Sequence, residues 1–225
     1  MKLNKNSLEI EEFVIECDEC QVPVLKLTPP ESRGAVVVAH NYGGSKEEML
    51  GLAFRIAKTG FTTGVIDLRG HGENSFEMDR QVLSDLETAI NYFKQFGKVT
   101  TVGHSLGGRL SLVSCADHAI GISPALAKTF SPKTQGMIRV LRDYRVNGSV
   151  TDLFTTLGEI PQIEFAPEDV LLIYGSRDVP EIIDECDKLT SEGYEVVEID
   201  DALHVDIYTL EPTFEAVTKK LHKWY

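Results

Sequence analysis

Residues 99 to 108 read Val-Thr-Thr-Val-Gly-His-Ser-Leu-Gly-Gly, and they contain the most informative pattern in the chain. Its first four residues are β-branched and predict a strand, while the residues from Leu106 onward predict a helix. Between them Gly103, Ser105 and Gly107 form the pattern G-x-S-x-G. Small residues beside the serine permit a very tight turn, because bulkier side chains would clash there. The stretch therefore predicts a strand, a sharp turn that exposes the Ser105 hydroxyl, and a helix.

Other short apolar runs along the chain have the same character as this strand. Wholly apolar runs are typical of strands that are covered on both faces, as in a parallel sheet. Ahead of them, two β-rich runs separated by acidic turn residues predict a hairpin. The hairpin covers 13–16 and 21–27, the clear strand candidates are 34–39, 62–67, 99–103 and 170–175, and the weaker ones are 119–123 and 195–199.

Segments with apolar residues at helical spacing lie between the strand candidates. They cover 45–59, 81–96, 106–115, 180–192 and 212–224. Ser45 is placed to cap the first of these helices and Gly60 to end it. Alternation of strand and helix predicts an α/β fold with a mostly parallel central sheet and helices on both faces.

Residues 124–167 interrupt this alternation, because they contain no convincing strand. Apolar residues at helical spacing in the segment indicate helices instead. A long insertion between two strands is often functional. We therefore expect a single domain over residues 1–225, with a small helical cap inserted at about 124–167.

The composition limits the partners. The 225 residues suffice for one domain with a sizeable core, and 22 Lys and Arg against 35 Asp and Glu give a formal net charge of -13. An acidic surface repels phosphate backbones and anionic lipid head groups, so neither nucleic acid nor a membrane surface is an expected partner. The oligomeric state is left open.

The sequence favours a cytoplasmic location. No run approaches the length of a membrane-spanning helix, and residues 1–12 contain no apolar core of a secretory signal. The four cysteines, Cys17, Cys20, Cys115 and Cys186, are therefore expected to stay reduced. Cys17 and Cys20 have the spacing of half a zinc site, but no second pair completes it, so structural thiols in a hairpin are expected.

A serine hydroxyl is a weak nucleophile, so Ser105 needs a base and a carboxylate that orients the base. In a strand–turn–helix setting these partners follow in the order acid, then histidine. Among the histidines after Ser105, His204 lies in a loop that follows a strand candidate. Asp178 lies in a glycine turn at the end of another. These two are the candidate base and acid.

Acyl transfer also needs hydrogen-bond donors for the developing oxyanion. One candidate is the backbone N–H of Leu106, at the start of a helix. The second is the backbone N–H of Tyr42, in the glycine-containing turn 40–44 that follows an earlier strand.

These motifs resemble the α/β-hydrolase superfamily, and the resemblance covers nearly the whole chain. Residues 40–45 are similar to the family's HGxxG oxyanion segment, with Asn41 where glycine is usual, and residues 67–72 are similar to its DxRGHG loop. Residues 103–108 resemble the nucleophile elbow, and 175–178 resemble the acid turn. The resemblance implies Ser105 as nucleophile, His204 as base, Asp178 as acid, and the amides of Tyr42 and Leu106 as oxyanion donors.

The resulting hypothesis is a serine hydrolase of the carboxylesterase and lipase-like type, which needs no metal and no organic cofactor. The expected substrates are esters of short to medium acyl chains, bound near Asn41, Met137, Leu141 and Tyr144. A basic set at 128, 133, 139, 142 and 145 is either a cationic rim for an anionic leaving group or a solvated helix face. The alternatives are an acyl-thioesterase and, less favoured, a peptidase, a C–C bond hydrolase or a non-catalytic ligand-binding protein.

Overall fold

The structure is a computed structural model that describes residues 7–17 and 20–225. Its centre is one eight-stranded sheet with the order β1-β2-β4-β3-β5-β6-β7-β8. β1 pairs antiparallel with β2 and β2 with β4, and all other neighbours are parallel. The strands are β1 (Glu9–Cys17), β2 (Cys20–Thr28), β3 (Ala35–Ala39), β4 (Thr62–Ile66), β5 (Val99–His104), β6 (His118–Ile122), β7 (Val170–Arg177) and β8 (Val196–Leu203).

The described part of the chain contains seven α-helices, most of which cover the two faces of this sheet. They are α1 (Leu50–Lys58), α2 (Val82–Phe93), α3 (Leu106–Ser111), α4 (Pro132–Arg142), α5 (Val150–Glu159), α6 (Pro180–Ser191) and α7 (Glu211–Trp224). Alternate residues of a strand point to opposite faces. In β3, Val37 packs in the same cluster as residues of α2 and α3, whereas Val36 and Val38 pack with α1 and α7. The predicted α/β-hydrolase architecture, with helices on both faces of a mostly parallel sheet, is confirmed.

The predicted elements match the observed ones in order, including both weaker strands and the hairpin. The helix predicted at 106–115 ends earlier, at Ser111. Ser45 precedes a 3-10 turn at Lys46–Met49, and its hydroxyl bonds Glu47 instead of capping the backbone, at 2.6 Å. The expected side-chain cap at Ser45 is therefore wrong.

The expectation for the cysteines of the N-terminal hairpin also needs a correction. Cys17 and Cys20 are joined by a disulfide, so the expectation of reduced thiols is wrong for this pair, while Cys115 and Cys186 are free. Within residues 7–17 and 20–225, no helix is long and apolar enough to cross a membrane. The cytoplasmic location stays a prediction.

Residues 124–167, all of them described, contain helices α4 and α5 and no strand. The segment leaves the sheet after β6 and returns at β7. Arg109 of α3 connects this segment to the rest of the domain, because its guanidinium donates to the carbonyl oxygens of Leu126, Leu157 and Ile160. The two helices lie over the sheet end that carries the predicted site residues, and several of their side chains line a cavity with Ser105.

Candidate active site

The three predicted reacting side chains all follow the carboxyl ends of parallel strands. Ser105 comes directly after β5, Asp178 after β7 and His204 after β8. The carboxyl ends of parallel strands meet at one edge of a sheet, where open α/β folds bind their ligands. Strand direction and order therefore bring together residues that are up to 99 positions apart.

The backbone at Ser105 has the strained conformation that the G-x-S-x-G pattern predicts. Its φ is 53° and its ψ is -108°, and a residue other than glycine rarely adopts a positive φ. A Cβ atom on Gly103 would overlap the carbonyl group of Gly107, so a glycine is required at this position. The Ser105 N–H donates to the Ile122 carbonyl at 2.9 Å, and its own carbonyl accepts from the Ala125 N–H at 3.0 Å.

His204 lies between Ser105 and Asp178. Its Nδ1 is 2.8 Å from Asp178 Oδ1, and its Nε2 is 3.1 Å from Ser105 Oγ. A carboxylate only accepts hydrogen bonds, so Nδ1 carries the proton in this arrangement. Nε2 is then left to accept the proton of the Ser105 hydroxyl, which is the geometry that general-base activation of a serine requires.

The carboxylate of Asp178 is buried and held by several donors. Oδ1 also accepts from the backbone N–H of Val179 at 2.7 Å, and Oδ2 accepts from the hydroxyl of Ser123. Burial alone would raise the pKa of Asp178, but the hydrogen bonds from His204 and Ser123 hold the pKa below its usual value. Asp178 is therefore ionised at neutral pH and is fixed in the orientation that His204 needs.

Ser123 is a site residue that sequence reasoning missed. It follows β6 with a φ of 45°, and its backbone N–H donates to Ile173 in the neighbouring strand at 2.6 Å. This strained turn aims the hydroxyl at Asp178. The only sequence signal is its position at the end of a strand candidate, which does not distinguish it from other serines.

His104 supports His204 from the side of the strand. Its Nε2 donates to the backbone carbonyl of His204 at 2.8 Å, and the two rings lie 5.0 Å apart. Burial lowers the pKa of His104 well below its ordinary value, with the charge of a protonated His204 acting in the same direction. His104 is therefore neutral, and it fixes the loop that carries His204 without competing for its proton.

The turn after β3 lies beside Ser105. Tyr42 and Leu106 both line the cavity that contains Ser105 and His204. Within the described residues, neither backbone N–H donates to another protein group. Leu106 is the first residue of α3, where an N–H has no acceptor inside the helix. Both amides are thus available to a ligand oxygen.

This turn is anchored by buried histidines. His40 Nδ1 donates to the Asn41 carbonyl at 2.8 Å, and its Nε2 accepts from the Leu68 N–H at 3.2 Å. The ring of His71 stands edge-on to Tyr42, with 5.5 Å between the ring centres. Burial lowers the pKa of His40 to about 4 and that of His71 to about 3, so both are neutral at pH 7.

A cavity of about 130 Å³ opens beside Ser105. Of the predicted pocket residues, Asn41, Met137 and Leu141 line it. Tyr144 does not, and its side chain is 80% exposed, so its placement in the pocket was wrong. The helix α4 ends at Arg142, so the helical spacing that put Tyr144 on the same face no longer applies.

Most of the remaining cavity wall is apolar and was not identified from the sequence. It comes from the helical segment, from the start of α6 with the residue before it, and from the loop after β8. These residues are Ala125, Phe130, Ile138, Leu153, Phe154, Leu157, Val179, Ile182 and Val205. Of the basic set, Arg142 alone reaches the cavity, whereas Arg145 pairs with Glu48 at 2.6 Å.

Comparison with known proteins agrees with this architecture. A family model described as alpha/beta hydrolase fold matches residues 34–130. No curated protein matches the chain. The chain is similar to Est1E from Butyrivibrio proteoclasticus, solved with ferulic acid, with a TM-score of 0.73 and 19% identity over 94% of this chain and 98% of that one.

Two further solved structures have the same fold. An esterase from Pyrobaculum calidifontis is 22% identical, with a TM-score of 0.63 over 94% of this chain and 82% of that chain. The thioesterase domain from the curacin biosynthetic pathway is 16% identical, with a TM-score of 0.68 over 94% and 98%. The resemblance to α/β hydrolases is thereby confirmed: the protein has the α/β-hydrolase fold.

Proposed function

We propose that the protein is a serine hydrolase that cleaves carboxylic esters through an acyl-enzyme on Ser105. The observation that carries this proposal is the position of His204, within hydrogen-bond distance of both Ser105 Oγ and Asp178 Oδ1. A solvated loop histidine has no reason to meet a strained serine on one side and a buried carboxylate on the other. The names of the similar esterase and thioesterase domain agree with acyl transfer.

In the first half of the proposed reaction, Ser105 Oγ attacks the ester carbonyl carbon while its proton passes to His204 Nε2. The backbone N–H groups of Tyr42 and Leu106 donate to the resulting oxyanion. Asp178 stabilises the imidazolium that forms. When the bond to the leaving group breaks, the alcohol oxygen takes the proton from His204, and the acyl group stays on Ser105.

Water completes the cycle. It gives a proton to His204 Nε2 as its oxygen attacks the acyl carbon, and the same two amides hold the second oxyanion. The bond to Ser105 Oγ then breaks, the serine recovers its proton from His204, and the carboxylic acid leaves. No step needs a metal or an organic cofactor.

The cavity supports short to medium acyl chains as substrates. Its volume of about 130 Å³ is close to that of an apolar cavity of roughly 150 Å³ that accepts benzene. Apolar side chains from α4 and α5, among them Met137, Leu141 and Leu157, give an acyl chain a surface on which to exclude water. We propose that residues 124–167 act as a cap that sets the acyl length.

A fluorophosphonate probe tests the nucleophile directly. We expect stoichiometric labelling of the wild-type protein, with the adduct located on Ser105 by mass spectrometry, and no labelling of Ser105→Ala. An unlabelled wild-type protein that is folded by circular dichroism would contradict the proposal. That result would favour a non-catalytic ligand-binding protein.

A substrate panel separates the ester hypothesis from its alternatives. The panel contains 4-nitrophenyl esters from acetate to decanoate, acyl-CoA thioesters of the same lengths, and a peptide 4-nitroanilide. We expect the highest kcat/KM on esters of two to eight carbons, as befits a cavity of this size. A consistent preference for the thioesters at every length would assign the acyl-thioesterase instead.

A further inference from the structure

One permanent charge lines the cavity. Arg142, the last residue of α4, is the single Lys, Arg, Asp or Glu among the described residues of the cavity wall. The rest of the wall is apolar apart from a few neutral or histidine side chains. Arg142 is half-buried, and a charge beside an apolar cavity interacts more strongly with an anion than it would in open water, because the effective dielectric constant is lower.

The guanidinium of Arg142 has no protein partner anywhere in residues 7–17 and 20–225. It makes no ion pair and no side-chain hydrogen bond. Three other arginines are engaged by protein groups: Arg69 bonds Asp85, Arg145 bonds Glu48, and buried Arg109 bonds three backbone carbonyls. The five N–H donors of this guanidinium are therefore free to bind a ligand.

The stem of Arg142 is held against the loop that carries Tyr42. A Cβ atom on Gly43 would lie 2.9 Å from the Cβ of Arg142 and 3.2 Å from its Cδ, and Gly43 has a φ of 68°. The next residue, Asp143, accepts a hydrogen bond from the Tyr42 hydroxyl at 2.7 Å. The arginine is thus fixed beside the proposed oxyanion donors.

The charge of Arg142 is felt at the reacting side of the cavity. Burial is the main cause of the low pKa of His104, and the positive charge of Arg142 adds to it. Burial also raises the pKa of Tyr208, and Arg142 opposes that increase. His104 contacts the ring of His204. Arg142 lines the same cavity as Ser105 and His204, so one small substrate can contact all three residues.

We infer that Arg142 binds an anionic group of the substrate, a carboxylate or a phosphate, and so selects anionic esters over neutral ones. The inference rests on the proposed function and names its substrate class. A planar guanidinium matches both anions in a two-pronged hydrogen bond. With Ser105 holding the acyl carbon, the anion would lie towards the 40–44 loop, and the acyl chain would lie against α5.

Matched ester pairs test this inference. On the acyl side, mono-4-nitrophenyl adipate is compared with 4-nitrophenyl hexanoate. On the leaving-group side, 4-carboxyphenyl butyrate and 4-phosphonooxyphenyl butyrate are each compared with 4-(methoxycarbonyl)phenyl butyrate. The quantity measured is the ratio of kcat/KM for the anionic ester to kcat/KM for its neutral partner, and the pair with the highest ratio identifies the position and type of the anion.

We expect Arg142→Gln to lower that ratio by about 10- to 100-fold, as for loss of a charge-assisted hydrogen bond. Arg142→Lys, which keeps the charge but not the planar fork, should lower it less. Arg139→Gln is the matched control, because Arg139 is an exposed arginine on the same helix and does not line the cavity. The intrinsic reactivity of each ester cancels from the comparison between variants, because every variant is measured on the same ester pairs.

The inference is overturned if, for every ester pair, the ratio of kcat/KM in the wild-type protein is no higher than the ratio in Arg142→Gln. It is also overturned if Arg139→Gln lowers the ratio as much as Arg142→Gln does. Fluorophosphonate labelling distinguishes the two levels of failure. Labelled protein without anion selectivity refutes the role of Arg142 alone, whereas unlabelled wild-type protein refutes the proposed function.

Discussion

The two walls of the cavity are built differently. The wall at the sheet end carries Ser105 and His204, with the buried Asp178 next to His204, and hydrogen bonds of defined geometry join the polar atoms of these three residues. The opposite wall comes from α4 and α5 and consists mainly of apolar side chains, with the outer face of α4 in solvent. Val140 on that outer face is 75% exposed.

This difference in construction indicates that the sheet wall carries the chemistry and the helical wall sets the substrate selectivity. Strand register and strained turns position the sheet wall, so a small displacement there removes a hydrogen bond outright. Apolar packing positions the helical wall, and it tolerates changes of shape at modest loss of free energy. Substitutions in the sheet wall should therefore act on the rate with every substrate, and substitutions in the helical wall on the choice of substrate or on stability.

The largest effect is expected at Ser105. Ser105→Ala removes the attacking oxygen, so kcat on 4-nitrophenyl butyrate should fall by about 10⁶-fold. The thermal transition should stay within a few degrees of the wild type, because only a hydroxyl is lost. A variant that keeps more than a tenth of the wild-type kcat would show that another group is the nucleophile.

The next effect is expected at Asp178. Asp178→Asn keeps the shape of the side chain, but its amide favours the wrong tautomer of His204, so kcat should fall by about 10⁴-fold. Steady-state kinetics at pH 7 measure this. Asp200→Asn is the control, since Asp200 lies near His204 in the sequence but bonds Ser176 and not the histidine. Equal losses in both variants would contradict the assignment of the acid.

The buried histidine under the oxyanion loop should make stability depend on pH. His40 has a folded-state pKa of about 4, below its usual 6.5, so between these values the unfolded chain binds a proton that the folded chain does not. The free energy of unfolding should therefore fall as the pH falls from 6.5 to 4, with a contribution from His40 on the order of 3 kcal/mol.

Denaturant titrations across this pH range check the prediction. The slope of unfolding free energy against pH should be smaller in His40→Gln than in the wild type, whatever the absolute stability of the variant. His222→Gln serves as the control, because His222 is exposed in the last helix. An unchanged slope in His40→Gln would mean that the His40 site does not exclude the proton.

A smaller loss of stability is expected where the helical segment meets the sheet. Arg109→Met leaves three backbone carbonyls without their donor, which is only partly offset by the removal of a buried charge. The free energy of unfolding at pH 7 should fall by about 2 kcal/mol. Arg139→Met, at an exposed position, should change it by less than about 0.5 kcal/mol. Equal values for the two variants would exclude a structural role for Arg109.

The smallest effect is expected on the helical wall itself. Met137→Ala removes apolar surface from the cavity, so kcat/KM for 4-nitrophenyl hexanoate should fall about 3- to 10-fold relative to the acetate. Tyr144→Ala should leave that ratio within about 1.5-fold, because Tyr144 faces solvent. The opposite pattern would place Tyr144 in the pocket after all.

The amino-acid sequence by itself determined the order of strands and helices and the candidate reacting residues. The period of apolar residues reports which faces are buried, and the tight turn around Ser105 demands glycines that are visible in the sequence. The parallel sheet then places the residues after β5, β7 and β8 at one edge. Hence Ser105, Asp178 and His204 could be found before the structure was known.

The contacts that support those residues, and the side chains that surround the substrate, depend on the tertiary fold. Ser123 meets Asp178 across 55 positions of sequence, and Arg109 meets the end of α5 across 51. Tyr144 lies outside the cavity because α4 ends two residues before it. Arg142 lines the cavity, with its stem packed against Gly43. Such contacts depend on where helix ends and side chains lie in space, and local sequence patterns carry no record of that.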